Sequence, residues 1–256
     1  MIPILLALAA ASAPAPAAMP AAAEARFKSC TALIAASPER AVADANEWRA
    51  KGGGVHARQC EALALAAQER WPQAAAAFEL AASEAEAAND PGAVDLRVQA
   101  GNAWLAAGEP AKARAIFDST LAALILTPEM RGEIHLDRGR ALVALDDLPG
   151  ARRDFDKAVE LAPNDSFAWY MSAALARRQN DLKRAQDDIA QAVSMAPDDA
   201  ELLLEAGNIA AVSGEVDAAR GLYAKAARSA PNSDAGRRAA AALAANEAKA
   251  SPPPAN

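Results

Sequence analysis

Apolar residues recur along this chain at spacings of three and four, which places them on one stripe of a helix and predicts helices almost throughout. Three stretches repeat the same hydrophobic and polar pattern without gaps at a period of 34: Gly132–Asp165, Ser166–Asp199 and Ala200–Ser233. Each predicts two antiparallel helices. The small residue of the first helix recurs as Gly139, Ala173 and Gly207. The second helix opens near Ala151, Ala185 and Ala219, places Phe155, Ile189 and Tyr223 four residues on, then Ala158, Ala192 and Ala226. Pro163, Pro197 and Pro231 close the three units. A helix hairpin of this kind cannot bury its apolar stripe alone, so neighbours must stack.

Two further copies precede these with longer spacers. One carries Gly101, Trp104, Ala113 and Phe117; the other carries Ala62, Leu65, Ala74 and Phe78. They depart from the pattern at their ends: Thr120 stands where the last alanine is expected, the proline slips to Pro128, and the first copy closes with Asn89-Asp90-Pro91-Gly92. Pro72, Pro110 and Pro149 mark helix starts, and Gly108 and Gly214 mark helix ends. Ser37-Pro38 splits two helical stretches between Glu24 and Lys51, with Ser37 expected to cap the second; Ser233 is expected to cap a last helix running to about Ala248.

A helix with a small residue, followed by A-x₃-F and a terminal proline, resembles the tetratricopeptide repeat. The resemblance spans about Val55 to Ser233. It implies an all-α, right-handed superhelical solenoid of about five antiparallel helix pairs with flanking capping helices. The expected organisation is an export signal and small-residue linker over 1–23, capping helices over 24–54, the solenoid over 55–233, a capping helix over 234–248 and a disordered tail over 249–256.

Composition narrows the function. Hydrophobic residues make up 53% of the chain, much of it alanine, and aromatic residues only 4%, so the core is expected in thin repeated layers. A formal net charge of −7 argues against a nucleic-acid partner. Ile2–Ala11 is an apolar run too short to span a bilayer as a mature helix. With small residues and prolines after it, cleavage is expected after Ala17 or after Ala23, although no Lys or Arg precedes the run. The alternative is an apolar N-terminal tail. Cleavage implies a periplasmic or secreted protein, and the mature chain is expected to contain no membrane span.

No catalytic constellation, metal set or cofactor motif emerges. His56 and His135 lie on different repeats, and Gly52-Gly53-Gly54 lacks the Lys and Ser/Thr of a phosphate loop. His135 is expected to be a packed polar residue. Asp146-Asp147 is expected in an inter-helix turn and Asp187-Asp188 on an exposed helix face. Trp71, Trp104 and Trp169 are expected in the core. Cys30 and Cys60 form an even pair in a chain expected to be exported, which favours a disulfide; in a reducing compartment they would be two buried thiols.

In the family this chain resembles, first helices line a concave face. The resemblance therefore assigns partner binding to Asn102, Leu136, Arg140, Phe167, Tyr170, Arg177, Leu204 and Asn208: amides for a peptide backbone, guanidinium groups for carboxylates, and apolar anchors. A clamp for a terminal carboxylate is not implied, because Val98 stands where its lysine would be. The expected function is a non-catalytic scaffold or adaptor of the bacterial cell envelope that binds an extended peptide or helix of a partner protein. The alternative is a structural oligomerisation element of a larger envelope complex.

Overall fold

The structure is a computed structural model that describes residues 21–123 and 126–250, with side chains up to 245 in the last helix. Among the described residues there are thirteen helices and no strand. They are α1 (Ala21–Ala36), α2 (Pro38–Ala50), α3 (Gly54–Ala67), α4 (Trp71–Ala87), α5 (Ala93–Ala106), α6 (Pro110–Leu121), α7 (Pro128–Ala144), α8 (Leu148–Leu161), α9 (Ser166–Arg178), α10 (Leu182–Met195), α11 (Ala200–Val212), α12 (Val216–Ser229) and α13 (Asp234–Ala250). The expected leader falls mostly outside the described residues, as does the end of the tail.

The chain divides into two compact units, residues 1–103 and 104–256. In the first, α3 packs on α4 and α2, and α1 lies on α2 and α3. Its N-terminal layer holds Cys30, Ala45 and Cys60, with Phe27, Ile34 and Trp48 against them. The two cysteines are bonded, with Cα atoms 6.2 Å apart, so α1 is tied covalently to α3. Trp48 packs on Gly53, where any Cβ would lie 2.6 Å from the indole, and the Arg26 guanidinium sits 5.5 Å above its ring. Ser37 stands at the start of α2 but makes no side-chain capping hydrogen bond; Pro38 in the first turn sets the direction instead.

In the second unit the 34-residue period becomes three hairpins: α7 with α8, α9 with α10, and α11 with α12. Helix α13 closes the stack on α11 and α12, capped by Ser233, whose Oγ accepts from the Gly236 amide at 3.0 Å. Each hairpin shuts at the small residue. Gly139 faces the Phe155 ring and Gly207 the Tyr223 ring so closely that a Cβ at either glycine would overlap the ring. The middle hairpin has Ala173 at that position and Ile189 opposite, a narrower partner that leaves room for the methyl.

The turn inside every repeat has one geometry. Glu69, Gly108, Asp146, Asn180 and Gly214 all take φ between 55° and 85°, with values of 57°, 72°, 61°, 60° and 81°. The next amide bonds back five residues: Arg70 to Leu65, Glu109 to Trp104, Asp147 to Leu142, Asp181 to Ala176 and Glu215 to Ala210, at 2.9–3.0 Å. This left-handed closure favours glycine, yet three of the five positions carry a side chain.

Two acids run through the stack. Asp154 on α8 is buried and accepts Arg138 Nε and Nη2 at 2.7 Å each, with His135 Nδ1 2.9 Å away. Burial alone would push its carboxyl up, but the bonds from Arg138 and His135 outweigh that and hold it below the usual range. One period on, Asp188 is buried and accepts Ser172 Oγ, while Ser172 in turn accepts Arg152 at 2.6 Å. This corrects the exposed face expected for Asp187-Asp188. Only Asp187 is exposed, paired with Lys183 at 2.6 Å, because the adjacent residue points between helices. The expected core tryptophans are also corrected: Trp71, Trp104 and Trp169 are each half-buried. Trp169 keeps its indole N–H at the surface, donating to Pro163 O at 2.9 Å, and Lys112 Nζ sits 4.2 Å from the Trp104 ring centroid.

Candidate functional site

The first helices α7, α9 and α11 of the second unit run side by side, α9 touching both neighbours. Asp165 starts α9 by accepting the Phe167 amide at 2.9 Å, which sets the Phe167 side chain on the first turn. Phe167 is 43% exposed and stacks on Tyr170 with ring centroids 5.7 Å apart. From α7 the Arg140 guanidinium lies 5.9 Å from the Phe167 ring and pairs with Asp137 at 2.7 Å. From α11 Glu201 accepts a long bond of 3.4 Å from the Tyr170 hydroxyl. Burial, and then Glu201, push the Tyr170 phenol up to about 12.

One turn along, the groove between α9 and α11 is filled by a polar cluster. Buried Glu205 accepts Arg177 Nε at 2.6 Å and Asn208 Nδ2 at 3.1 Å, and Asn208 Oδ1 accepts the Tyr223 hydroxyl at 3.0 Å. The groove between α7 and α9 is open at the same level. It holds a pocket of about 360 Å³ lined by Val143, Phe155, Met171, Ala174 and Leu175, with Arg177 and Arg178 at its rim.

The expected binding residues thus separate. Arg140, Phe167, Tyr170, Arg177 and Asn208 fall on this face. Leu136 and Leu204 do not reach it: they are 5% and 3% exposed. Leu136 packs with Phe155 and Ala168, and Leu204 packs with Ala235 and Ala239 of α13. Asn102 is half-buried on α5 in the first unit. Asp137, Glu201, Glu205, Val143 and Met171 were not anticipated. The period held a signal for part of this, since Asp137, Met171 and Glu205 occupy one repeat position. Among the described residues no cluster of three His, Cys, Asp or Glu side chains could hold a metal ion. Nor is any described helix long and apolar enough to cross a membrane.

Residues 136–185 and 170–234, all in the second unit, match the family model for the tetratricopeptide repeat. None of the curated protein sequences compared matches the chain. Among solved structures it resembles PilW, described as a widely conserved type IV pilus biogenesis factor, with 17% identity over 86% of this chain and 99% of that one, at a TM-score of 0.69. It resembles PilF of Pseudomonas aeruginosa with 15% identity over 86% and 97%, at 0.65. It also resembles YrrB, described as a tetratricopeptide-repeat protein with an unusual peptide-binding site, with 20% identity over 77% and 96%, at 0.51. At these identities the likeness is one of fold: stacked antiparallel helix pairs of the tetratricopeptide-repeat solenoid.

Proposed function

We propose that this chain is a non-catalytic scaffold of the bacterial cell envelope that holds a partner protein on the face formed by α7, α9 and α11. The observation that carries the reading is the stacked Phe167–Tyr170 pair, in which Phe167, 43% exposed, is the one aromatic ring among the described residues that is more exposed than half-buried. Around it stand Arg140, Arg177 and Asn208, polar groups suited to fixing a peptide's register. The envelope part of the reading rests on the apolar run Ile2–Ala11 followed by small residues, and on the bonded Cys30–Cys60 pair, which suits an oxidising compartment. That the fold serves a pilus biogenesis factor is in keeping with it. The segment 1–23 is then removed on export, and the helices before α3 and after α12 act as caps.

Site-specific photo-crosslinking tests the reading in the native envelope. A photoreactive residue at Phe167 is expected to capture one protein that the same residue at Lys157, exposed on the second helix α8, does not. Equal capture from both positions, or capture only of a second copy of this chain, would move the assignment to the oligomerisation alternative.

A further inference from the structure

The α7–α9 groove carries its features in a line. Phe167 and Tyr170 form a shelf at the start of α9. Arg140 reaches over that shelf from α7, one turn before Val143. The apolar pocket lies beyond, over Ala174 to Arg178. At 1.5 Å per helical residue, the stretch Ala174 to Arg178 lies about 10–16 Å along α9 from Phe167. The charges are layered. The Asp137 side chain is 13% exposed beneath an Arg140 that is 36% exposed, and Glu205 is 7% exposed beneath an Arg177 that is 34% exposed. In both pairs the acid holds the arginine from below, and the guanidinium meets the ligand first.

We infer that this groove takes an extended acidic peptide with two apolar side chains four residues apart and an acidic residue midway, in the pattern apolar-x-acidic-x-apolar. In an extended chain residues i, i+2 and i+4 face one way, and i to i+4 spans about 13 Å, which matches shelf to pocket. The middle residue then faces Arg140, whose planar fork suits a carboxylate. A helical ligand fits less well, because it needs a continuous apolar stripe and Arg140 interrupts the surface where that stripe would run. The pocket's apolar lining and volume of about 360 Å³ admit a leucine- or phenylalanine-sized side chain with room to spare. The inference rests on the proposed partner-binding face and adds the ligand's chemistry and register.

Fluorescence anisotropy on the full mature chain tests it with the labelled peptide Gly-Ser-Leu-Ser-Glu-Ser-Leu-Ser-Gly. The comparison peptides carry lysine for the glutamate, or leucines three or five residues apart. The glutamate peptide is expected to bind about tenfold or more tightly than the lysine peptide, and more tightly than either respaced one. Arg140→Ala should erase the preference for glutamate over lysine. Ala174→Phe, which fills the pocket, should erase the preference for spacing; thermal melts confirm that both variants fold. Equal binding of all four peptides, or binding of none at millimolar concentration, overturns the register. Crosslinking at Phe167 reports independently on the face itself, so failure of the register and failure of the face are distinguishable.

Discussion

Hairpins α7/α8 and α11/α12 close a glycine on an aromatic ring, whereas hairpin α9/α10 between them closes an alanine on an isoleucine. Among these three hairpins the glycine goes with the aromatic ring and the alanine with the isoleucine, and at Gly139 and Gly207 the facing ring leaves no room for a Cβ. The same hairpins differ in a second pair. Arg138 faces Asp154 and Ser172 faces Asp188, but the corresponding residues of the last hairpin are Ala206 and Leu222. In this layer the second helix carries an acid in the two hairpins whose first helix supplies a donor, and the position is apolar in the third, where the facing residue is Ala206.

Breaking the size pairing has the largest expected effect. Phe155→Ala leaves a cavity beside a glycine and should cost about 3–5 kcal/mol by urea unfolding. Gly139→Ala forces a methyl into the ring and should cost about 1–3 kcal/mol. The double variant Gly139→Ala with Phe155→Ile recreates the middle hairpin's pair and should recover most of the loss from Gly139→Ala. A double-mutant cycle with no coupling would mean that the pairing is incidental.

Cys30–Cys60 is the first unit's counterpart to these layers, a covalent tie where the packed side chains are mostly alanine. Replacing both cysteines by serine should lower stability by about 2–4 kcal/mol, and labelling of the denatured, unreduced native protein should find no reactive thiol.

The acid pairing gives a smaller, pH-dependent effect. The Asp154 carboxyl is held below its ordinary value near 3.8, so its contribution is present above that pH and lost as pH falls through the lower folded value. Asp154→Asn should cost about 1–3 kcal/mol at neutral pH and flatten the acid limb of the stability curve below pH 4. Leu222→Ala, at the apolar equivalent, should leave the shape of that limb unchanged.

The turns offer the smallest effect, with the opposite sign. Glu69, Asp146 and Asn180 hold a left-handed backbone that Gly108 and Gly214 adopt without steric cost. Glu69→Gly should stabilise by about 0.5–1 kcal/mol, less the added flexibility of the unfolded chain, and Asn180→Gly by less because asparagine tolerates this conformation. Gly214→Ala should destabilise. These shifts are readable as changes in melting temperature.

The helix pairs and their order were legible in the sequence because the period of 34 is uninterrupted from Gly132 to Ser233. Within that period the fate of individual positions was not legible, since it depends on what lies across from them. Leu136, Tyr170 and Leu204 share one repeat position, yet Leu204 is covered by α13 and Leu136 by Phe155 and Ala168, so only Tyr170 keeps an edge on the groove. Asp188 reads as half of a solvated pair until Ser172 is placed opposite it. Glycine announced two of the five left-handed turns; Asp146 and Asn180, residue types that tolerate this conformation, gave a weaker signal and Glu69 none. Trp48 belongs to no repeat, and its contacts with Gly53, Arg26 and the Cys30–Cys60 layer explain it.

The central claim, that the α7–α9–α11 face holds the partner, is tested most directly by recovery of the proposed partner with the double variant Phe167→Ser, Arg140→Gln, whose glutamine amide can still donate to Asp137. Both side chains lie on the surface of the groove, so the melting temperature is expected to stay within about 2 °C of the parent's, a shift that corresponds to less than about 1 kcal/mol. Partner recovery is expected to fall about tenfold or more, as loss of an aromatic anchor and of a contact charge require. Undiminished recovery by a variant that melts like the parent would contradict the claim and place the binding surface elsewhere on the chain.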